Sequence, residues 1–257
     1  MLWHPRRMSQ AASAEYFDGW YRHMAASGVR DAMFWRHLGL PAHLLSTSLL
    51  TWDGIADVVD ALDVRPGARL LDLACGRGGY GLEIAARTGA SLVGVDFSAE
   101  AIRQATANAR RSGTTAMFQV GELGAIGLPS ASFDAVVCID AIQFSARPES
   151  FAEMRRVLVP GGRAVLTTWE AVDRTDDRIA ERIREVDTRA ALSAAGFVDV
   201  DVRERPQWRA AERALWLEAV DLEPGGDPDL RSLHDEGRRA LAQFDLVRRV
   251  LATATAP

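Results

Sequence analysis

Residues 70–81 read LLDLACGRGGYG, an apolar run that gives way within a few positions to a glycine-rich turn. Apolar residues on both faces predict a buried parallel strand, and the glycines predict a turn that leads into a helix. Gly76, Gly78 and Gly81 spell G-x-G-x-x-G, a pattern that lets backbone N–H groups approach a ligand closely at the mouth of a sheet. The stretch therefore predicts a ligand-binding loop after the first strand.

Short apolar runs alternate with helical segments from about residue 68 to residue 169, which is typical of βαβ units and a parallel sheet. Ser98 and Gly113 predict the start and end of one helix, and Pro148 and the PGG sequence at 160–162 predict those of the next. Two later runs predict an antiparallel pair at the sheet edge. The predicted strands are 69–74, 91–96, 116–120, 133–139, 162–169, 197–206 and 246–256.

Two other regions carry helical patterns. Residues 173–196 place Ile179, Ile183, Val186 and Ala190 at helical spacing, which predicts one charge-rich helix with a single stripe against the sheet. Residues 1–55 hold little strand pattern, many aromatic residues and four of the five histidines. They predict a helical lid over a pocket or a helical cap that only packs, and the sequence leaves both open.

Composition and charge exclude several classes of function. The net charge of -5 argues against a nucleic-acid partner, because such a surface needs clustered cations. All 30 cationic residues are arginine, so no Schiff-base or P-loop lysine exists. No apolar run is long enough to span a membrane, and the first ten residues lack the apolar segment of a secretory signal. Cys75 and Cys138 offer no metal spacing and no disulfide framework, so we expect a cytoplasmic protein without a metal.

Two acids distinguish between possible ligands of the loop. Asp96 ends the second strand, 20 residues after Gly76, where a carboxylate accepts hydrogen bonds from ribose hydroxyls. That spacing fits a nicotinamide dinucleotide as well as any other adenosine. Asp72 lies four residues before Gly76, where its charge would repel a pyrophosphate and favour a cation. On this interpretation Gly81 completes the glycine motif only by coincidence.

The ordered segments LLDLACGRGGYG, VGVDFS, VGEL, FDAVVCIDAIQF and RRVLVPGGRAVLTTWE resemble the class I S-adenosylmethionine-dependent methyltransferases, in the branch that modifies small molecules. The resemblance covers about residues 65–170. It implies an α/β fold with a Rossmann-like, doubly wound, seven-stranded sheet of order 3-2-1-4-5-7-6, the last strand antiparallel, under an N-terminal helical lid. We expect one domain over 1–257, with a lid at 1–55, a cofactor-binding core at 56–170, and helices and edge strands at 171–257.

The same resemblance assigns roles to residues around S-adenosylmethionine. The first acid and the glycine loop would hold its methionine half, the second acid its ribose and the VGEL motif its adenine, while the end of the fourth strand would face the sulfonium. The sequence departs from the family at Ala74, where glycine is commoner, and at Glu122, where aspartate is commoner. The implied cofactor-binding residues are Asp72, Ala74, Gly76, Gly78, Asp96, Phe97, Gly121, Glu122, Leu123, Cys138 and Gln143.

Methyl transfer from a sulfonium is an in-line displacement that gains most from alignment and exclusion of water. A hydroxyl acceptor would also need a general base, for which His37, Asp140 and Glu170 are the candidates. The segment CIDAIQF lacks the proline-aromatic motif that stacks a flipped base, so we expect a small molecule, a specialised metabolite, as the acceptor. Expected wall residues are Trp20, Tyr21, Phe34, Trp35, Phe144 and Trp169.

Three alternatives stay open at this point. A methyltransferase-like cyclase or binding protein that retains the cofactor would carry the same motifs. An NAD(P)-dependent oxidoreductase is disfavoured by Asp72 and by the absence of any lysine for a Tyr-x-x-x-Lys pair. The chain is expected to be a monomer or a homodimer without nucleic-acid or membrane partners, and the sequence does not choose between the two oligomeric states.

Overall fold

Seven strands form one sheet in the computed structural model, which describes residues 13–257. Their order across the sheet is β3-β2-β1-β4-β5-β7-β6, so the predicted fold class and strand order are confirmed. In chain order the strands are β1 (Arg69–Leu73), β2 (Ser91–Asp96), β3 (Ala116–Val120), β4 (Phe133–Ile139), β5 (Leu158–Ala171), β6 (Val198–Glu204) and β7 (Val247–Thr255).

Strands β1 to β5 pair in parallel, while β7 lies antiparallel to both β5 and β6. The carboxyl ends of β1, β2 and β4 therefore meet at one edge of the sheet, where open parallel sheets bind ligands. β7 enters that edge from the opposite direction and pairs its Arg249 with Trp169 of β5.

Helices cover both faces of the sheet. They are α1 (Ala14–Ser27), α2 (Val29–Leu38), α3 (Trp52–Leu62), α4 (Gly79–Thr88), α5 (Ala99–Ser112), α6 (Pro148–Val157), α7 (Glu181–Arg184), α8 (Thr188–Ala194), α9 (Arg209–Asp221) and α10 (Pro228–Ala242). Successive strand residues point to opposite faces, so Leu70 of β1 packs in the core beside α3, α4 and α9, and Leu71 in the core beside α6 and α8. Both cores are apolar, which explains why the parallel strands read as continuous apolar runs.

The predicted helix signals are found at the expected positions. The Ser98 hydroxyl accepts from the Ala101 N–H at the start of α5, and Gly113 ends that helix with φ of 68°. Pro148 occupies the first turn of α6. The PGG sequence does not end α6, however, because β5 begins at Leu158 directly after the helix and the glycines lie within the strand. Gly161 N–H donates there to the Ala256 carbonyl at 2.7 Å, which extends the ladder to β7.

The prediction of one helix over 173–196 is wrong. Only α7 and α8 are helical in this region, and Ala190, one of the four predicted stripe residues, is exposed. The Asp176 carboxylate accepts from a backbone N–H two residues later, and the Asp187 carboxylate caps α8 by accepting from the Ala190 N–H. Short acidic side chains offer the backbone these local bonds in place of a continuous helix, and hydrophobic periodicity alone does not register them.

Helices α1 and α2 and the irregular segment 39–51 lie over the edge of the sheet where β1, β2 and β4 end. Residues 1–12 of the predicted lid lie outside the described residues. The C-terminal helices α9 and α10, which separate β6 from β7, pack against α2 and α1. A fully buried ion pair of 2.9 Å between Arg30 Nε and Asp229 Oδ1 joins α2 to α10. Over residues 13–257, no helix combines the length and apolarity needed to cross a membrane.

Candidate active site

The loop between β1 and α4 turns through three residues with positive φ. These are Ala74 at 54°, Gly76 at 52° and Gly78 at 78°. The left-handed region disfavours a residue with a Cβ, so Ala74 adopts a strained conformation at the position where the family more often has glycine. The Cys75 N–H donates to the Val95 carbonyl at 3.0 Å and thereby fixes the loop to the end of β2.

Gly81 has a structural role that the sequence interpretation missed. A methyl group at this position would overlap the carboxylate of Asp72, whose oxygen accepts a hydrogen bond from the Gly81 N–H. The third glycine is therefore required for α4 to approach β1, and its place in the motif is not a coincidence.

Two buried carboxylates face the loop from the ends of β1 and β2. Asp96 accepts from the Gly76 N–H and from the Ser98 N–H, both at 2.9 Å. Burial, and to a lesser degree the charge of Asp96, raises the pKa of Asp72 to about 8, and burial also raises the pKa of Asp96. Within residues 13–257 neither acid has an ion-pair partner, so the pair suits a cationic ligand.

Residues 44–51, which we call the strap, connect the lid to α3 and cross the end of β4. The Ser48 hydroxyl donates to the Ile139 carbonyl at 3.1 Å, and the Tyr80 hydroxyl donates to the Leu50 carbonyl at 2.6 Å. The strap and the glycine loop together enclose a small cleft. Its walls are Ser46, Thr47, Ser48, Asp72, Ala74, Cys75, Gly76, Arg77, Tyr80 and Ile139.

The lid contributes a phenol to the same region. Tyr21 of α1 is 5% exposed, and its hydroxyl lies close enough to Gly76 that a Cβ there would come within 2.9 Å of it. The Tyr21 hydroxyl bonds to the Thr47 side chain, while burial and the nearby Asp96 raise the pKa of the phenol well above its ordinary value. Tyr21 therefore stays neutral at ordinary pH and closes the cleft from the lid side.

The one cation in the glycine loop is neutralised by the lid. Arg77 is 4% exposed, and its Nη1 and Nη2 bond the two carboxylate oxygens of Asp31 in α2 at 2.6 and 3.0 Å. Such a bidentate buried pair directs the guanidinium away from Asp72 and Asp96. The Asn108 amide also donates to the Arg77 carbonyl at 2.7 Å and fixes its backbone.

The end of β4 carries a buried ionic network. Asp140, with φ of 54°, bonds Arg249 Nη2 through both carboxylate oxygens, at 2.8 and 3.0 Å, and also accepts from the Thr167 hydroxyl and the Leu49 N–H. Arg249 Nη1 lies 3.5 Å from Glu212 Oε2 of α9, and burial raises the pKa of Glu212. The network therefore holds together the sheet, the strap and α9.

The candidate bases are all engaged elsewhere. Asp140 is paired with Arg249, as described. Glu170 accepts from the Thr188 N–H at 2.9 Å and from Arg248 Nη2 at 3.0 Å, beside α8 and in a surface depression at the β6–β7 side of the sheet. His37 Nε2 lies 2.5 Å from Glu218 Oε2 of α9. The three candidates thus do not form one group, and none of them is among the described residues that wall the cleft.

Of the remaining predicted cofactor residues, some lie at the ends of β2 and β4 near the cleft, and the others are exposed or packed in the core. Phe97 lies in the loop after β2, where Phe17 of the lid packs on it with ring centroids 5.1 Å apart. The Gly121 N–H donates to the Asp96 carbonyl at 3.0 Å. Gln143 donates to the Asp140 carbonyl at 2.6 Å. By contrast Glu122 is exposed, its neighbour Leu123 is partly buried beside the core, and the Cys138 side chain packs in the core beside α6.

Sequence reasoning missed four residues that shape the site. From the sequence, no role is assigned to Arg77, Asp31, Glu212 or Arg249. One signal was present for Arg249, because an arginine inside the apolar run of a central strand requires a buried acid nearby. No comparable signal marks Asp31, whose pairing depends on how the lid folds over the loop.

Comparisons with known proteins agree with this geometry. Residues 70–162 match the family model described as a methyltransferase domain. A 24-methylenesterol C-methyltransferase 2 from Oryza sativa subsp. japonica is 36% identical over 115 residues, which are 44% of this chain and 32% of that protein. The chain spans 32% to 41% of the length of the first curated relatives it matches.

Solved structures share the fold at low sequence identity. The Haemonchus contortus phosphoethanolamine N-methyltransferase 2 in complex with S-adenosyl-L-methionine aligns with a TM-score of 0.73 and 17% identity, over 93% of this chain and 60% of that one. The [4+2]-cyclase SpnF aligns with a TM-score of 0.64 and 22% identity, over 79% of each chain.

The chain therefore has the Rossmann-like α/β fold that these solved structures share, and residues 70–162 carry a methyltransferase-domain pattern. In sheet order, in motif order and in the methyltransferase-domain match over residues 70–162, the chain resembles the class I S-adenosylmethionine-dependent methyltransferases.

Proposed function

We propose that this chain transfers the methyl group of S-adenosylmethionine to a small-molecule acceptor by in-line displacement. The observation that carries the proposal is the pair of buried, unpaired carboxylates, Asp72 and Asp96, on either side of the glycine loop. A sulfonium cofactor is a cation that also bears an adenosine, and these acids complement its charge and its ribose hydroxyls. A pyrophosphate would find no complementary charge in the same acids.

The residues around the cleft fit this cofactor. Gly76 allows close approach of the backbone, Asp96 would accept from the ribose, and Asp72 would lie beside the methionine half. Arg77 does not oppose a cation, because Asp31 neutralises it. When bound, S-adenosylmethionine supplies an electrophilic methyl group.

The contribution of the chain itself is alignment and exclusion of water. Tyr21 and the strap cover the glycine loop, and hydrogen bonds from Tyr80 and Ser48 hold the strap against β4. A dry, ordered site of this kind can supply about 7 to 11 kcal/mol of the barrier reduction through approximation of the two reactants. The Asp140–Arg249 pair supports the strap through the Leu49 N–H, so we assign Asp140 a positioning role.

We further propose that the acceptor needs no general base from the protein, since none of His37, Asp140 and Glu170 walls the cleft and the two acids are paired with arginines. An amine with a free lone pair or an electron-rich alkene meets this condition at the methyl-transfer step, and the resulting cation then loses its proton to water. An alcohol must lose its proton as it attacks, so it does not meet the condition. The names of the C-methyltransferase and N-methyltransferase cited above are compatible with these two acceptor types. A His37→Gln variant is expected to keep kcat within about twofold, while loss of 10² or more would return His37 to the role of base.

The lack of a general base at the cleft also favours a second function, in which no methyl group is transferred. A chain of this fold could hold the cofactor without consuming it, and one structural neighbour is named a cyclase. In that case the strap and lid would shape a pocket for a rearranging substrate, and the cofactor would serve only to order it.

Two measurements test these proposals. Isothermal titration with S-adenosylmethionine, and separately with NADH, should give binding for the sulfonium compound alone, and the reverse result would overturn the cofactor assignment. Mass spectrometry of alkene and amine acceptor panels should then detect a mass gain of one CH₂ together with S-adenosylhomocysteine. Conversion of a substrate without S-adenosylhomocysteine would support the second function.

A further inference from the structure

A row of side chains, each in contact with the next, lies at the edge of the lid, just beyond the end of β4. We call this row the rim, and its members come from α1, α2, α7, α10 and the 3₁₀ turn Ile142–Phe144. They are Phe17, Trp20, Arg30, Phe144, Arg182 and Glu236.

The aromatic half of the rim leads to the cofactor loop. Phe17 packs edge-on against Phe144, with ring centroids 5.9 Å apart, and against Phe97, which follows Asp96. Phe144 follows Asp140 by four residues, yet its side chain is 53% exposed. A large ring exposed beside the strand end that should face the acceptor indicates a surface for an apolar part of a ligand.

The charged half of the rim contains one cation that the protein does not balance. Arg30 is paired with Asp229 at 2.9 Å and with Glu236 at 3.0 Å. The Arg182 guanidinium instead lies over the face of Phe144, 4.8 Å from the ring centroid, and within residues 13–257 no carboxylate makes an ion pair with it. The charge of Glu236 acts on Arg182 from a distance, while the Glu236 carboxylate makes its ion pair with Arg30.

The surroundings of Arg182 make its charge unfavourable in the absence of a partner. Desolvation lowers its pKa, the carboxylate of Glu236 partly offsets this effect, and the guanidinium of Arg239 adds to it. The other arginines with a resolved pKa shift have it raised by paired carboxylates. Arg182 is nevertheless exposed to solvent, so an anion can reach it, and a cation without a carboxylate partner is stabilised when an anion binds to it.

We propose that Arg182 binds an anionic group, a carboxylate or a phosphate ester, on the methyl acceptor, while Phe144 and Phe17 contact an apolar part of the same molecule. This inference rests on the proposed function, because it takes the end of β4 as the acceptor side of the cofactor. It narrows the acceptor to small amphipathic anions. The guanidinium is suited to this role, since its planar donors bind carboxylate and phosphate oxygens through two hydrogen bonds at once.

The experiment uses the full chain loaded with S-adenosylhomocysteine and three probes of similar size. Phenyl phosphate and benzoate carry the anion, and benzyl alcohol is the uncharged control. Ligand-observed NMR titration should give Kd values for one or both anions at least about tenfold lower than for the alcohol, as expected for a charge-assisted bond. The two anion arms distinguish phosphate from carboxylate recognition.

Two variants test whether the preference for anions depends on the rim. Arg182→Gln should remove the preference for the anions and leave binding of the alcohol and of S-adenosylhomocysteine unchanged. Arg178→Gln is the matched control, because Arg178 is exposed and pairs with Asp176 away from the rim. Equal binding of anion and alcohol by the native chain, or an anion preference that survives Arg182→Gln, would overturn the inference.

The result for the anion site can be distinguished from the result for the cofactor assignment. If S-adenosylhomocysteine binds and the anions show no preference, the anion site is refuted and the cofactor assignment stands. If S-adenosylhomocysteine does not bind, the same titration on the ligand-free chain still tests Arg182. Thermal melts of both variants must match the native chain to within about 2 °C, as expected for exposed substitutions.

Discussion

Asp72 offers the sharpest test of the site, because its charge state should depend on the cofactor. Burial raises its pKa from the ordinary 3.8 to about 8, so at pH 7 only about a tenth of the ligand-free protein carries an ionised Asp72. A bound sulfonium cation favours the charged carboxylate and lowers that pKa. Binding of S-adenosylmethionine at pH 7 should therefore release close to one proton.

The expected magnitudes follow from this single titration. If the cofactor binds only the ionised form, its apparent Kd should fall about fiftyfold between pH 6 and pH 8 and change little above pH 9. Isothermal titration in two buffers of different ionisation enthalpy measures both the Kd and the number of protons released. Asp72→Asn should bind S-adenosylmethionine more weakly and without this pH dependence. The amino group of the ligand also titrates, and the ratio of the Kd values of the variant and the native chain at each pH removes its contribution.

The ligand-free protein supplies an independent check of the sign. The unfolded chain loses the Asp72 proton near pH 3.8 and the folded chain near pH 8, so rising pH favours unfolding across that window. The contribution of Asp72 to the free energy of unfolding should fall by on the order of 5 kcal/mol between these pH values. In Asp72→Asn this decrease of the free energy of unfolding with rising pH should be absent. A native protein that releases no proton on binding, and whose Kd is flat from pH 6 to pH 8, would refute the reasoning.

Two further predictions concern stability. Ala74→Gly should raise the free energy of unfolding by about 0.5 to 1 kcal/mol in urea titrations, because glycine relieves the positive φ of 54°, and a decrease would show that the Ala74 methyl group packs favourably. Asp31→Ala should lower it by about 3 to 5 kcal/mol, since Arg77 then stays buried without a partner. Glu153→Gln, which breaks the partly exposed pair with Arg156, serves as its control with an expected loss below about 1 kcal/mol, and equal losses would contradict the special role of the lid pair.

The parallel part of the fold could be predicted because each strand there is buried on both faces. Leu70 and Leu71, on opposite faces of β1, both enter apolar cores, so an uninterrupted apolar run is the correct signal. The acids at the strand ends were predictable for a related reason. In a sheet of known strand order, Asp72 and Asp96 must end neighbouring strands, and the structure places both against the glycine loop.

The parts that could not be predicted depend on contacts between distant segments. The Arg77–Asp31 pair joins residues 46 positions apart, and Arg249 meets Asp140 across 109 positions. Arg249 stands out locally as an arginine in an apolar strand, but in neither pair does a local pattern identify the partner. The role of Gly81 was missed for a different reason, because the need for glycine arises from the Asp72 side chain and not from the backbone conformation.

The lid is attached to the two loops that carry the proposed cofactor residues, and this arrangement links its closure to binding. Asp31 of α2 bonds Arg77, the neighbour of Gly76, while Asp18 of α1 accepts from the Ser98 hydroxyl at 2.5 Å and from the Glu100 N–H at 3.0 Å. Ser98 itself donates its N–H to Asp96. A cofactor that orders these loops must therefore favour the closed lid, and by reciprocity a lid that is held closed must favour the cofactor by the same free energy. The acids that neutralise and fix the loops are thus as much part of the binding site as the residues that would touch the ligand.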